Sequence, residues 1–327
     1  MLKVEYTDMA KHAESVMKAN GVDEIVTVIQ GAVEEIVLPV ESNGLEADGS
    51  PTQVVDIIIS EWMGYFLLRE SMLDSLIRAR DKFLKPRTGL MFPSHTTMYF
   101  APVADDEERK QSYQEYANAM SDWHEFSETT KSVYGVDMSV LEKDYDREQK
   151  EYYLLSSRWS ELPPEAVLAE PAMVKHLDMI TCTIEESRGI LAGAPNSTFD
   201  FEIDGNEVSG CVSGFAGWFT ADFKSRTDGE GRDVAPKLSH PAFLSTGPEN
   251  GYTHWGQQTF HLVSSIPLFP GQITRIQGSL EMSRTKENAR LYNCRITYSS
   301  SRRYSGEPAD GQYLMKSQDN LVVYQIP

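Results

Sequence analysis

The sequence predicts an α/β unit followed by an all-β unit: a partial doubly wound sheet, then an antiparallel sandwich or barrel, with a charged helical segment between. Three observations carry this. Strand and helix patterns alternate over the first ninety-odd residues, which favours a parallel sheet. Residues 104–165 combine charges and aromatics at helical spacing. From about Ala166 to Pro327, short runs alternate apolar and polar residues between Gly- and Pro-containing turns.

Taken in order, Leu2 to Tyr6 reads as a short strand. Asp8 to Asn20 reads as a helix with Met9, Ala13, Val16 and Met17 on one face, closed by Asn20-Gly21, a pair suited to a left-handed cap. Glu24 to Ile29 is a second strand. Val54 to Ile59 is a third, and its nearly continuous apolar run suits a strand covered on both faces. The polar stretch between Val40 and Gln53 reads as a surface loop. Ser71 to Leu84 is a helix stopped by Pro86. In the next segment Tyr113, Tyr116, Trp123, Phe126, Tyr134, Tyr145, Tyr152, Tyr153 and Trp159 punctuate a charged helical pattern. It breaks at Gly135 and ends at Pro163-Pro164, and it reads as a projection that buries one face, in its own domain or in a partner. The runs Phe199 to Ile203 and Phe215 to Phe223 typify the β half.

Composition narrows the function. The 327 residues hold 49 acidic against 30 basic side chains, a formal charge of −19. That balance disfavours direct binding to nucleic acid or an anionic membrane and is compatible with a basic partner. Cys182, Cys211 and Cys294 are too widely spaced for a metal motif or a disulfide framework, which suggests a reducing, cytoplasmic or nuclear setting. No apolar run approaches membrane-spanning length, and no apolar stretch of signal-peptide type follows Met1.

Nucleotide-binding sheets of this kind usually open with a strand, a Gly-rich turn and a helix N-terminus. No Gly-rich loop precedes the strand at residue 2, and Gly229-Glu230-Gly231 lies in the β half with Val234 where a third Gly would stand. The sheet therefore reads as the second part of such a fold. Glu5, at a strand end, has the place of a ribose-binding acid, although a solvated glutamate is the commoner case.

The strongest local feature is Ser60-Glu61-Trp62-Met63-Gly64-Tyr65-Phe66-Leu67-Leu68-Arg69-Glu70-Ser71-Met72. Glu61 follows the third strand, where open α/β sheets bind ligands. Glu70 precedes the next helix, and a turn at Gly64 would return it toward Glu61. Two close carboxylates demand a cation or a shared proton, and a planar guanidinium suits them. Acid/base hydrolysis of a glycoside is a second reading of such a pair. A third is structural: Glu61 as a cap, and Glu70 paired with Arg69 or Lys82.

The segment Ser60 to Tyr65 with Glu70-Ser71-Met72 closely resembles the double-E loop of protein arginine methyltransferases. Tyr252-Thr253-His254-Trp255 resembles that family's THW loop, and Tyr134 to Ser139 resembles a stretch of its dimerisation arm. Ala79 to Pro86 and Phe92-Pro93 match the helix and strand after the double-E loop. The resemblance runs from about Lys3 to the C-terminus. The long arm and His254-Trp255-Gly256-Gln257-Gln258 look closest to the plant-type branch.

The resemblance implies a partial Rossmann-like S-adenosylmethionine domain over 1–95, a β-barrel domain over 96–104 and 166–327, and a helical dimerisation arm over 105–165. Glu61 and Glu70 would clamp a substrate guanidinium for methylation, with His254 behind them. Trp255, Met72 and Met63 would wall the arginine channel. Glu5, Val33 and Glu34 would hold S-adenosylmethionine, and no metal is implied. Type I chemistry, giving asymmetric dimethylarginine on Gly/Arg-type or histone-tail substrates, and a homodimer through the arm follow from the same likeness. The family's N-terminal helices, its Gly-rich motif and the acidic partner of the residue equivalent to His254 have no counterpart in the sequence. The expectation is thus a truncated enzyme that binds S-adenosylmethionine poorly. A non-catalytic partner subunit and an Arg-rich peptide-binding module are the alternatives.

Overall fold

A computed structural model describes residues 2–4, 7–38, 55–227, 237–307 and 314–327. Strand β1 (Leu2–Val4) leads into helix α1 (Thr7–Ala19) and strand β2 (Val28–Gln30), which pairs parallel with β1. The second strand is shorter than its sequence pattern, because residues 23–25 form a turn. Strand β3 (Ile57–Ile59), helix α2 (Leu73–Phe83) and strand β4 (Leu90–Phe92) follow, and β3 pairs parallel with β4. The parallel arrangement expected of the front half is present, as two two-stranded pairs. The predicted loop between Val40 and Gln53 lies outside the described residues.

Helix α2 explains itself residue by residue. Leu73, Leu76, Ile77 and Phe83 recur at helical spacing and are buried, so one stripe faces the core. Asp74 sits in the first turn and Arg80 and Lys82 in the last, each complementing the helix dipole. Leu84 turns extended and Pro86 follows. Ile58 packs toward this helix, but Ile57 and Ile59 are exposed, the latter 76%. The expectation of a strand covered on both faces therefore fails: among the described residues only one face of β3 is covered.

Strand β5 (His95–Val103) opens the β half. The chain then leaves it as helix α3 (Asp106–Tyr134), turns at the left-handed Gly135, and returns as helix α4 (Glu142–Tyr153). Trp123 stacks on Tyr145 across this hairpin at 4.6 Å, and Tyr116 donates to Asp146 at 2.5 Å. Helix ends at Tyr153 rather than at Pro163, because strand β6 (Arg158–Ser160) already pairs with the barrel sheet. Strands β7 (Ala172–Asp178), β8 (Gly189–Ile190), β9 (Thr198–Asp204), β10 (Cys211–Phe223), β11 (Ala242–Ser245), β12 (Gln257–Pro267), β13 (Gln272–Arg284), β14 (Tyr292–Tyr304), β15 (Met315–Lys316) and β16 (Asn320–Ile326) complete it.

These strands form two antiparallel sheets, β6-β12-β10-β5-β7 with β11 on β10, and β15-β14-β13-β8 with β16 on β14 and β9 on β13. Apolar residues of both sheets meet in one core. Phe100 stacks on Phe215 at 5.0 Å and meets Phe199 at 5.4 Å, ring geometries that add to plain area burial. All three cysteines are free thiols. Burial pushes the Cys182 thiol up to about 11, so it stays protonated at neutral pH.

Candidate active site

The loop after β3 carries the site. Glu61 stands just beyond the carboxyl end of β3, exposed, with no hydrogen bond or ion pair among the described residues. Trp62, Met63, Phe66, Leu67 and Leu68 behind it are all buried. The chain doubles back within this loop. Gly64 donates its N–H to the Leu67 carbonyl at 2.9 Å. A Cβ on Gly64 would fall 1.8 Å from the Arg69 carbonyl oxygen and 2.9 Å from the Glu70 Cγ. Only glycine allows so close a return, and this return brings Glu70 back to the start of the loop. Phe66, Leu67, Glu70 and Ser71 all have positive φ, between 45° and 93°. Strain of about 1–3 kcal/mol at each such residue persists only where packing over-determines the conformation. Here the packing is the insertion of Phe66 into the barrel core, against Phe260 at 5.9 Å and Phe100 at 6.5 Å.

Glu70 is engaged from both sides. One oxygen takes the Arg69 guanidinium and the other the Arg290 guanidinium. The structural reading of Glu70 as a partner of Arg69 therefore holds, and Lys82 is elsewhere, donating to the carbonyls of Glu34 and Ile36 at 2.9 Å. Ser71 donates to the Ala289 carbonyl, and the Glu70 N–H to the Arg290 carbonyl at 3.2 Å. The site loop is thus stitched to the turn between β13 and β14.

From the barrel side, Trp255 Nε1 donates to the Met63 carbonyl at 2.9 Å, and its ring meets Phe219 edge-on at 5.5 Å. The His254-Trp255 pair and the paired-glutamate loop are therefore neighbours. Met63 is buried under this contact and Met72 is exposed at the end of the loop. The His254 imidazole is exposed and lies over Trp255 with ring centroids 3.8 Å apart, and the Trp159 indole donates to the His254 carbonyl at 3.2 Å. Glu5 lies outside the described residues. Val33 packs half-buried with Ile36, Ala79 and Phe83. The Glu34 carboxylate accepts from Ser75 of α2 at 2.7 Å, so its side chain is drawn toward that helix.

Helix α2 is anchored by Asp74. Its carboxylate pairs with both terminal nitrogens of Arg284, at 2.7 and 3.0 Å, and with Arg188 at 3.2 Å. Burial alone would raise its pKa, but the Arg284 and Ser187 hydrogen bonds hold it below the usual carboxylate range. A carboxylate so depressed stabilises the fold above its unfolded pKa, about 3.9, and loses that contribution as pH falls below. Asp74→Asn is expected to cost about 2 kcal/mol at pH 7, read by urea unfolding. The gap between variant and parent should close as pH drops from about 4 toward 2; a gap independent of pH would refute the assignment.

Residues 94–303 match the family model described as the arginine methyltransferase oligomerization subdomain. Over 302 residues the chain is 40% identical to protein arginine N-methyltransferase PRMT10 of Arabidopsis thaliana, covering 91% of this chain and 71% of that one. The chain belongs to the protein arginine N-methyltransferase family.

PRMT10 of Oryza sativa subsp. japonica is 42% identical over 297 residues, covering 90% of this chain and 70% of that one. The crystal structure of Arabidopsis thaliana protein arginine methyltransferase 10 superposes with a TM-score of 0.79 at 36% identity, covering 98% of this chain and 80% of that chain. The likeness to the plant-type branch of the arginine methyltransferases read from the sequence agrees with these relatives. So does the fold, a methyltransferase unit joined to a β-barrel domain. Sequence reasoning missed Arg290 and the Asp74–Arg284 pair. Arg290 sits in an ordinary polar turn 220 residues from Glu70, and nothing local marks it as a site residue.

Proposed function

We propose that this chain transfers methyl groups from S-adenosylmethionine to the guanidinium of arginine in Arg-rich proteins, Gly/Arg-type or histone-tail segments, and makes asymmetric dimethylarginine. One observation carries the reading: an exposed Glu61, unpaired among the described residues, stands two positions before Met63, whose carbonyl Trp255 binds, on the same folded-back loop as Glu70. An arginine side chain entering along Trp255 meets a free carboxylate with no internal bond to break.

The described residues fit the adenosine end of the methyl donor. Strands β1 and β2 are parallel and in register at Val4 and Gln30, so Gly31 to Glu34 follow at the carboxyl edge, where such sheets bind nucleosides. Val33 offers an apolar side there. S-adenosylmethionine supplies an electrophilic methyl group on sulfur when bound. The work of the chain's own residues is positional and electrostatic. Glu61 would accept hydrogen bonds from the guanidinium and hold its positive charge on the bound nitrogens, leaving the remaining nitrogen richer in electrons. Trp255 and the buried Met63 would keep water from that nitrogen. The net charge of −19 would draw Arg-rich segments in, an effect that weakens with salt.

We place the homodimer contact at the arm. Phe126, Val133, Tyr134, Val136, Val140 and Leu141 near its tip are exposed apolar residues on an otherwise charged hairpin.

The test is direct. Purified protein is incubated with methyl-labelled S-adenosylmethionine and a Gly/Arg-rich peptide, and the hydrolysed product is separated into its methylarginines. Label in asymmetric dimethylarginine supports the reading. Symmetric product overturns the type assignment. Arginine-dependent peptide binding with no label at all supports the Arg-rich peptide-binding module instead.

A further inference from the structure

The geometry points to Arg290 as an internal placeholder on the substrate clamp: its guanidinium occupies the Glu70 oxygen that a substrate arginine must take. This rests on the clamp reading above and extends it to the selection of ligand.

Both Glu70 oxygens are taken, one by Arg69 and one by Arg290, but the two guanidinia are held differently. Arg69 is built in. Its Nε donates to the Pro327 carbonyl at 2.5 Å, its guanidinium lies 5.7 Å from the Tyr65 ring centroid, and its side chain is 23% exposed. Arg290 is 63% exposed, and among the described residues Glu70 is the one side-chain partner it has. Its backbone, by contrast, is fixed. The turn closes on itself through the Thr285 N–H to the Leu291 carbonyl at 2.9 Å and the Arg290 N–H to the Asn288 side-chain oxygen at 3.0 Å. Ser71 and the Glu70 N–H then bind the same turn to the site loop. A rigid turn thus presents a displaceable guanidinium to the carboxylate. The Arg290 charge, after burial, also pulls the Arg69 guanidinium below its ordinary pKa, as expected of two cations sharing one carboxylate.

The consequence is an order of events. Glu61, free, takes the incoming arginine first. Glu70 is then exchanged from Arg290 to the ligand, one guanidinium for another, and the released Arg290 guanidinium, already 63% exposed, passes to solvent. A lysine ammonium lacks the planar fork and replaces Arg290 less well. Arg290 therefore weakens most the ligand that takes Glu70, which is arginine, and leaves a lysine held by Glu61 alone nearly untouched, so it tempers the preference for arginine.

The experiment measures binding of labelled Gly/Arg-rich peptide, and of the same peptide with Lys for Arg, by fluorescence anisotropy at low salt, on the full chain. Arg290→Ala should lower the Kd for the Arg peptide about two- to fivefold, the scale of an exposed ion pair no longer competing, and should widen the Arg-over-Lys ratio. Arg290→Lys, a weaker placeholder without the planar fork, should fall between the parent and Arg290→Ala. Melting temperatures of all variants are recorded, since a residue that merely braced the turn would weaken both peptides and lower stability. Unchanged or weaker Arg-peptide binding in Arg290→Ala overturns the placeholder. Glu61→Gln separates this from the clamp reading. If Glu61→Gln abolishes Arg-peptide binding while Arg290→Ala changes nothing, the clamp stands and the placeholder falls. If Glu61→Gln changes nothing, or no variant binds, both fall.

Discussion

Glu61→Gln is expected to reduce arginine methylation by at least about a hundredfold, the scale seen when one preorganised electrostatic contact is removed, with no change in melting temperature. Shape is kept and only charge is lost, so the effect isolates the charge-assisted contact to the guanidinium. Stability should not move, because the side chain is exposed and unpaired among the described residues, and such surface changes stay within about 0.5 kcal/mol. Glu70→Gln makes the informative contrast. It disturbs the pairs with Arg69 and Arg290, so stability and activity should shift together. Radiolabel incorporation alongside thermal unfolding checks both. Unchanged turnover in Glu61→Gln would sink the clamp.

Phe66→Ala is expected to cost about 3–5 kcal/mol of stability, the range for a fully buried ring, and to abolish arginine binding as well. The ring is the peg that fastens the site loop to the barrel, against Phe100 and Phe260. Gly217 on β10 is the hole: a Cβ there would lie 2.3 Å from Phe66 Cε2. Gly217→Ala should therefore be destabilising by the overpacking route, about 1–3 kcal/mol. In the Phe66→Ala background most of that cost should vanish, since the added methyl then falls into the space the ring left. Chemical denaturation of the four proteins closes the cycle. Strict additivity of the two single changes would show that peg and hole are not coupled.

How much of this could be read in advance varied with the range of the signal. The α2 helix was legible because Leu73, Leu76, Ile77 and Phe83 carry their period locally, and Pro86 marks the stop. The break in the helical pattern at Gly135 was legible for the same reason, since one residue reports it, but not the reversal that follows. The paired glutamates were legible as a motif, but not their unequal surroundings. Whether Glu61 or Glu70 is free depends on Arg290 and on the turn that carries it, contacts made across the whole barrel. The end of the arm was misplaced because Arg158–Ser160 is charged and aromatic like the helices before it. Only pairing with β12 makes it a strand. Ile57 and Ile59 read as core because apolar side chains usually are; their exposure is a tertiary fact.

The root of the arm remains. Helix α3 starts where the Asp105 carboxylate meets the buried His261 of β12 at 3.1 Å and its N–H meets Ser213 of β10. Those two side chains, with Tyr113 of the helix donating to the Val263 carbonyl at 2.9 Å, set the direction in which 29 residues of helix depart. At 1.5 Å per residue the helix reaches about 43 Å, so a tilt of about 5° at the root carries the tip about 4 Å. The arm is in this sense a pointer with its pivot inside the barrel. Small changes in barrel packing near His261 are magnified into the position of Tyr134 and its neighbours, and the aperture between two joined copies would be set as much by that pivot as by the surfaces that touch.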